Sequence, residues 1–131
     1  MISYNGIIEY VESLAHTSYD CPWEGDFYSR VLRRSDNKKW FGLIIKAPKS
    51  FFLRYGVAAE NGETVLNLKC PPDLQLFLRE KYPEWVLPSY HMSKTHWISV
   101  VIASDMPEDE IKQLIKLSYE ITENGKRAKN G

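Results

Sequence analysis

The sequence predicts an α+β fold in which an antiparallel sheet packs against helices at the N- and C-terminal ends of the chain. Two observations predict it. Apolar residues recur at helical spacing in the first 15 residues and again beyond Asp105, and between these ends β-branched and aromatic residues gather in short runs separated by turn formers. A length of 131 residues with 44% hydrophobic content is the size of one domain. The expected division is a single domain over residues 1–124 and a flexible tail over 125–131.

Near the start, Ile7, Ile8, Val11, Leu14 and Ala15 share one helical face, with Glu9 and Glu12 on the other, so a helix begins near Ser3 or Asn5. His16 to Pro22 breaks the pattern with turn formers and a proline, and Pro22 pushes Cys21 out of the helical region, which predicts a loop. Three strands follow, over Phe27 to Leu32, Lys39 to Lys46 and Phe51 to Val57, joined by turns at Ser35-Asp36-Asn37 and Ala47-Pro48-Lys49-Ser50. Asn61-Gly62 introduces a fourth strand, Thr64 to Cys70, in which Leu66, Leu68 and Cys70 alternate with Val65, Asn67 and Lys69. Pro71 and Pro72 open a helix with Leu74, Phe77 and Leu78 on one stripe, and Pro83 closes it. Glu84 to Ser89 reads as a link, and Trp97 to Ala103 as a strand. Asp105 and Glu108 resemble a capping box ahead of the longest helix, which carries Ile111, Leu114, Ile115, Ser118 and Ile121 at helical spacing. Gly125 to Gly131 is polar and predicts a frayed end.

Composition excludes several functions. Lysine plus arginine and aspartate plus glutamate both number 17, so no global field holds the chain on nucleic acid or an acidic membrane, and any anion-binding surface is local. No apolar run approaches the ~20 residues that cross a bilayer, and the first residues lack a basic segment ahead of an apolar one, so neither membrane association nor secretion is expected. Two cysteines, Cys21 and Cys70, make no disulfide framework, and a cytoplasmic location with reduced thiols is expected. The isolated glycines form no phosphate-binding loop, and no nucleophile elbow is present.

Charge is nevertheless segregated. Residues 1–26 hold five acids and no bases, whereas residues 27–59 hold eight bases against Asp36 alone. Of these bases, Arg30, Arg33, Arg34, Lys38 and Lys39 lie on predicted hairpins among Tyr28, Trp40, Phe51 and Tyr55. Cations beside aromatic faces suit phosphate contact and base stacking, although solvated strand ends also carry such charges. Tyr90 to Trp97 concentrates polar and aromatic groups, Tyr90, His91, Lys94, His96 and Trp97, beyond what a core strand needs. His91, His96, Cys21 and Cys70 are zinc-ligand types without zinc spacing, so no metal and no cofactor are expected.

Three stretches in order, Lys39-Trp40-Phe41-Gly42-Leu43-Ile44, Asn67-Leu68-Lys69-Cys70-Pro71 and Pro88-Ser89-Tyr90-His91-Met92-Ser93-Lys94-Thr95-His96-Trp97, resemble the MmcQ/YjbR-like family. The early Pro22-Trp23 turn and the late Pro107, Glu110 and Ser118-Tyr119 match as well. The resemblance implies a frataxin-like (CyaY-like) sandwich and a proposed double-wing mode of DNA binding, with no catalytic residues. It transfers to Asn67, Lys69, Tyr90, His91, Lys94, His96 and Trp97. The chain departs from the pattern at Ser89, Ser93 and Pro71, and its Lys46 to Glu63 stretch is longer.

The resulting expectation is a non-enzymatic, monomeric DNA-binding domain, weak and salt-dependent, with Arg30, Arg33, Arg34, Lys38, Lys39, Lys69 and Lys94 on phosphates. Asn67, Tyr90, His91 and His96 supply closer polar contacts. The alternative is a small-molecule or protein interaction module on a sheet face bordered by Asn67, Lys69, His91 and Lys94.

Overall fold

A computed structural model describes residues 2–128, with side chains through Glu123. In chain order the elements are α1 (Tyr4–Glu12), β1 (Thr17–Asp20), β2 (Arg30–Arg34), β3 (Trp40–Ala47), α2 (Lys49–Arg54), β4 (Glu63–Lys69), α3 (Pro72–Lys81), β5 (Val86–Pro88), β6 (Trp97–Val101) and α4 (Glu108–Ala128). The six strands form one antiparallel sheet in the order β1-β2-β3-β4-β6-β5, so the outer strands are β1 and β5.

The terminal helices cover one face of this sheet, as the sequence predicts. Ser3 caps α1 by accepting from the Gly6 amide, and Ile7 and Val11 enter the same core as Ile111 and Ile115 of α4. Leu66 and Leu68 of β4 and Ile98 and Val100 of β6 meet them from the sheet, the period-2 alternation placing these side chains on one side. The opposite face is not left open. Leu43, Ile45, Val65, Leu87 and Val101 pack there beneath Phe51 and Phe52 of α2 and the Tyr90 and Met92 side chains. Val65 and Asn67, placed by alternation on the half-polar side of β4, are therefore fully buried.

Four expectations are corrected. The segment Phe51 to Val57 is no strand, because the consecutive Phe51 and Phe52 both enter the cluster on this one face of the sheet; a short helical turn presents neighbouring residues to one surface where a strand sends them to opposite sides. The second strand starts at Arg30 and not at Phe27, since Asp26 accepts from the Tyr28 and Ser29 amides and folds that stretch into a turn. The loop expected at His16 to Pro22 contains β1, an exposed edge strand paired through its backbone from Thr17↔Arg34 to Asp20↔Val31, which carries no apolar alternation to announce it. The link from Glu84 to Ser89 contains β5, where Pro88 is tolerated because the strand lies at the sheet edge. The tail expected over 125–131 overlaps the end of α4 at Ala128, and residues 129–131 lie outside the described residues. Among the described residues no helix is long and apolar enough to cross a membrane.

Three substitutions test this core. Leu68 is fully buried, so Leu68→Ala is expected to lower stability by about 2–5 kcal/mol, whereas Lys69→Ala, next along the strand and half-exposed, costs less than about 1 kcal/mol. Gly62 has φ +77° and a Cβ there would stand 2.3 Å from the Ala47 carbonyl oxygen, so Gly62→Ala is expected to cost about 1–3 kcal/mol. Urea midpoints at constant m check all three; a Lys69→Ala loss exceeding that of Leu68→Ala would reverse the assigned faces.

Candidate nucleic-acid interface

Antiparallel pairing brings the end of β2, the start of β3, the end of β4 and the start of β6 to one end of the sheet. Six of the seven predicted phosphate-contacting residues gather there: Arg33 and Arg34 on β2, Lys38 and Lys39 in the β2–β3 turn, Lys69 on β4, and Lys94 just ahead of β6. Arg30 does not join them. It sits at the opposite end of β2, where its guanidinium donates to Phe27 O, Ser29 O and Cys21 Sγ and fastens the preceding loop.

A β-bulge shapes this end. Leu32 pairs with Gly42 and Arg33 with Trp40, which leaves Phe41 as an extra residue on β3. Phe41 then faces α4, edge-on to Tyr119 at 5.5 Å, and Trp40 turns to the other face of the sheet. Where the β3–β4 ladder stops at Gly42↔Leu68, the buried Ser118 hydroxyl of α4 takes over: it accepts from the Lys69 amide at 2.9 Å and donates to Phe41 O at 2.5 Å. The bulge and the hydroxyl together set Arg33, Trp40, Lys69 and Trp97 in a row across the strands. Arg33 lies 5.7 Å from the Trp40 ring and Lys69 5.7 Å from the Trp97 ring.

The arginines and lysines of this end differ in their partners. Arg34 is 1% exposed; it bonds Asp36 through two nitrogens at 3.0 Å, Tyr119 O at 3.0 Å and Glu123 at 3.2 Å, with its guanidinium 4.2 Å from the Tyr119 ring. Arg34 is a clamp between the β2–β3 turn and α4, and its assignment to phosphate contact is withdrawn. Arg33 is held bidentately by Asp20 at 3.0 and 3.2 Å. By contrast Lys38, Lys39, Lys69 and Lys94 have no acidic partner among the described residues. Burial, and after it the charge of Lys39, hold the Lys69 ammonium below its usual pKa.

The turn bearing Lys94 and His96 is fixed beside Lys69. Cys70 N donates to His96 O at 2.8 Å, and the buried Gln75 amide donates to Cys70 O at 2.8 Å and Thr95 O at 2.9 Å. Lys69, Cys70, Pro71, His96, Trp97 and Ile121 line a shallow depression of about 290 Å³. Burial pushes the Cys70 thiol up to about 11, so it is a neutral packing group at physiological pH.

Asn67 and Tyr90 serve another purpose than the sequence suggests. Asn67 is 0% exposed, and its amide donates to Tyr90 O at 2.7 Å while Ser99 Oγ donates to Asn67 Oδ1 at 2.5 Å and accepts from Tyr90 N at 2.8 Å. This closed set of bonds straps the Tyr90 turn onto the sheet, so Asn67 offers no contact to a ligand. His91 follows with φ +71° and is exposed on a groove with Trp23, Tyr28 and Lys46, at the end of β3 remote from Trp40. Asn67, Lys69, His91 and Lys94 do not border one open face. Sequence reasoning missed Ser118 as a ladder bridge and the Trp23–Lys46 groove; the signal for the first was a polar residue within the apolar stripe of α4. Among the described residues no group of three His, Cys, Asp or Glu side chains is placed to hold a metal ion.

Comparison with known proteins bears on the fold that carries this end of the sheet. The YjbR family model matches residues 12–121. The uncharacterised protein YyaQ of Bacillus subtilis (strain 168) is 39% identical over 122 residues, which is 93% of this chain and 99% of the relative. The uncharacterised protein YjbR of Escherichia coli (strain K12) is 29% identical over 66% of this chain and 71% of its own. A crystal structure of a Pseudomonas syringae protein superposes with TM-score 0.81 at 33% identity, covering 92% of this chain and 99% of that one. A Deinococcus radiodurans protein shares the fold at 20% identity, with TM-score 0.69 over 91% of this chain and 77% of that one.

The Arg34 clamp has a signature in acid. Hydrogen bonding from Arg34 holds the Asp36 carboxyl at about 2, below its ordinary 3.8. A carboxyl depressed on folding stabilises the protein above its unfolded value, and the contribution is lost as pH falls from about 4 through about 2. The urea midpoint is expected to drop over that window in the wild type and to drop less in Asp36→Asn. At neutral pH, Arg34→Ala is expected to lower stability by about 1–3 kcal/mol through its lost charged hydrogen bonds. An unchanged acid slope in Asp36→Asn would remove the clamp from the account.

Proposed function

The chain belongs to the YjbR family, and from that premise we propose that it is a non-enzymatic domain binding the phosphate backbone of DNA at the lysine-bearing end of its sheet. One observation carries this reading. Lys38, Lys39, Lys69 and Lys94 share one end of the sheet, with Lys39 close enough to act on Lys69 and His96 beside Lys69, where the two arginines of the same end are already neutralised by Asp20, Asp36 and Glu123. Like charges held close without counter-charge repel, and Lys69 and Lys39 do so here. A phosphate placed among them relieves that repulsion and gives the partly desolvated Lys69 ammonium an acceptor in place of the water it has lost.

The interface differs from the one expected of basic hairpins. Arginines build the frame and lysines face outward, so the contact is made by point charges that follow a backbone and not by forks that read bases. Trp40 and Trp97, in line with Arg33 and Lys69, stiffen the row and leave little ring surface for stacking, since Trp97 is buried. Binding is therefore sequence-independent and weak, as a net formal charge of +0 also favours. In this reading the protein acts as a monomer in the cytoplasm, where its two free cysteines remain reduced.

Four lysine contacts predict a slope of log affinity against log salt of roughly −3.6 on duplex DNA, at ~0.9 per phosphate. Lys39→Ala combined with Lys69→Ala is expected to make it shallower by about 1.8. Lys49→Ala with Lys81→Ala, which remove lysines paired to Glu60 and Glu110, leaves it unchanged. Anisotropy titration of a labelled duplex at several salt concentrations measures all three. Absence of binding at low salt, or equal slopes for both double variants, would defeat the reading.

A further inference from the structure

The opposite end of β3 carries an opening of a different kind. Trp23, Asp26, Tyr28, Ser29, Ile45, Lys46 and His91 line a groove of about 420 Å³, within the ~300–1,000 Å³ of small-molecule sites. One wall is the loop ahead of β2, and it is pre-formed. Asp26 Oδ1 accepts from the Tyr28 and Ser29 amides at 2.9 Å each and Oδ2 from Ser29 Oγ at 2.7 Å, so its carboxylate is spent on the turn and is held below its usual pKa by those bonds. Arg30 clasps the back of the loop through Phe27 O and Ser29 O. Tyr28 is fixed at both ends, its carbonyl accepting from Tyr4 Oη at 2.6 Å and its hydroxyl bonded to Thr64 Oγ1 at 2.5 Å.

With the loop so fixed, Trp23 and Tyr28 remain 43% and 45% exposed, the Tyr28 ring being packed against that of Tyr4 at 5.2 Å. Large apolar side chains kept at the surface by a satisfied hydrogen-bond frame mark a contact surface. The facing wall is His91, in the left-handed region at φ +71° and 4.1 Å from the Tyr90 ring, on the turn that Asn67 and Ser99 strap down. A non-glycine residue kept in that conformation by surrounding bonds is a feature of ligand sites. Lys46 is exposed and has no acidic partner among the described residues, while Ile45 provides an apolar floor.

We propose that this groove binds a small planar aromatic molecule bearing an anionic group, its ring against Trp23 and Tyr28 and its anion on Lys46 and His91. The pairing follows from the walls. The Asp26 carboxylate stays charged, but its charge is met by the Tyr28 and Ser29 donors and by Arg30 behind the loop, so the polar side chains left to pair with a ligand are an ammonium and an imidazole, and the apolar surface offered is aromatic. A phosphate without a ring leaves the tryptophan uncovered, and a ring without an anion leaves Lys46 unpaired.

Calorimetric titration of the full chain with AMP, adenosine, indole-3-acetate and inorganic phosphate tests this. AMP or indole-3-acetate is expected to bind at least about tenfold more tightly than adenosine or phosphate, the choice between the two anions reporting whether the ligand is nucleotide or aromatic acid. Lys46→Ala is expected to weaken that anion by about tenfold while leaving adenosine unchanged, and Trp23→Ala to weaken both, with thermal unfolding confirming that each variant folds. The Lys39→Ala/Lys69→Ala variant is expected to bind it as the wild type does, which separates this site from the DNA-binding end. Binding of none of the four probes, affinity indifferent to Lys46→Ala, or loss with the Lys39/Lys69 change would each overturn the proposal.

Discussion

At the lysine-bearing end of the sheet, β3 and β4 part company, and the hydroxyl of Ser118 holds them in register where the backbone ladder has ended. It accepts the Lys69 N–H and donates to Phe41 O, so two strand groups that would otherwise face a gap are satisfied by a third element. This allows the bulge at Phe41, and the bulge in turn decides which faces Phe41 and Trp40 occupy. With Phe41 against α4, the helix sits close enough for Tyr119 and Glu123 to receive Arg34. With Trp40 on the other face, Arg33 lies beside its ring and Lys69 beside that of Trp97. The end of the sheet is thus organised by one buried polar residue, which explains why a serine interrupts the apolar stripe of α4.

The same end shows how a chain with equal numbers of acids and bases acquires a local field. The acids are not absent there; Asp20, Asp36 and Glu123 are spent on Arg33 and Arg34. Arginine suits that role, since its planar fork meets a carboxylate through two bonds and stays charged when buried. What remains without an acidic partner among the described residues is the lysines, and an ammonium on a flexible stem, unlike a guanidinium fork, imposes no fixed geometry on a counter-charge. Counting charges along residues 27–59 finds the asymmetry and cannot find this division of labour, because it depends on which side chains the fold sets opposite one another.

The elements that bury apolar residues were legible: α1, β4 and α4 repeat them at the period of their geometry, β3 and β6 are short continuous runs buried on both faces, and the core follows. The misses have separate physical origins. The edge strand β1 is made by backbone pairing to β2 and buries almost nothing, so nothing in its side chains records it. The run of aromatic residues after Pro48 has the composition of a strand, yet Phe51 and Phe52 both enter the cluster on one face of the sheet, which a helical turn allows and a strand does not. For the candidate site, residue types picked out Lys38, Lys39, Lys69 and Lys94, which the fold sets at one end of the sheet, and misread Arg34 and Asn67, whose polar groups are consumed internally.

Asn67 also explains the polar richness of the Tyr90 to Trp97 segment. A turn lying across a sheet face exposes its own N–H and C=O to an apolar surface, and each must find a partner. Asn67 and Ser99, neighbours in the β4–β6 register, provide an acceptor for Tyr90 N and a donor for Tyr90 O in the middle of that face. The turn can then cover Leu43, Val65 and Leu87 with the Tyr90 and Met92 side chains. It carries His91 toward the loop of Trp23 on one side and, through the Gln75 bonds, holds Lys94 and His96 beside Lys69 on the other. One strapped turn therefore fixes side chains of both candidate surfaces, and the residues that do the strapping are buried because a polar pair can hold a turn on a sheet only when water does not compete for it.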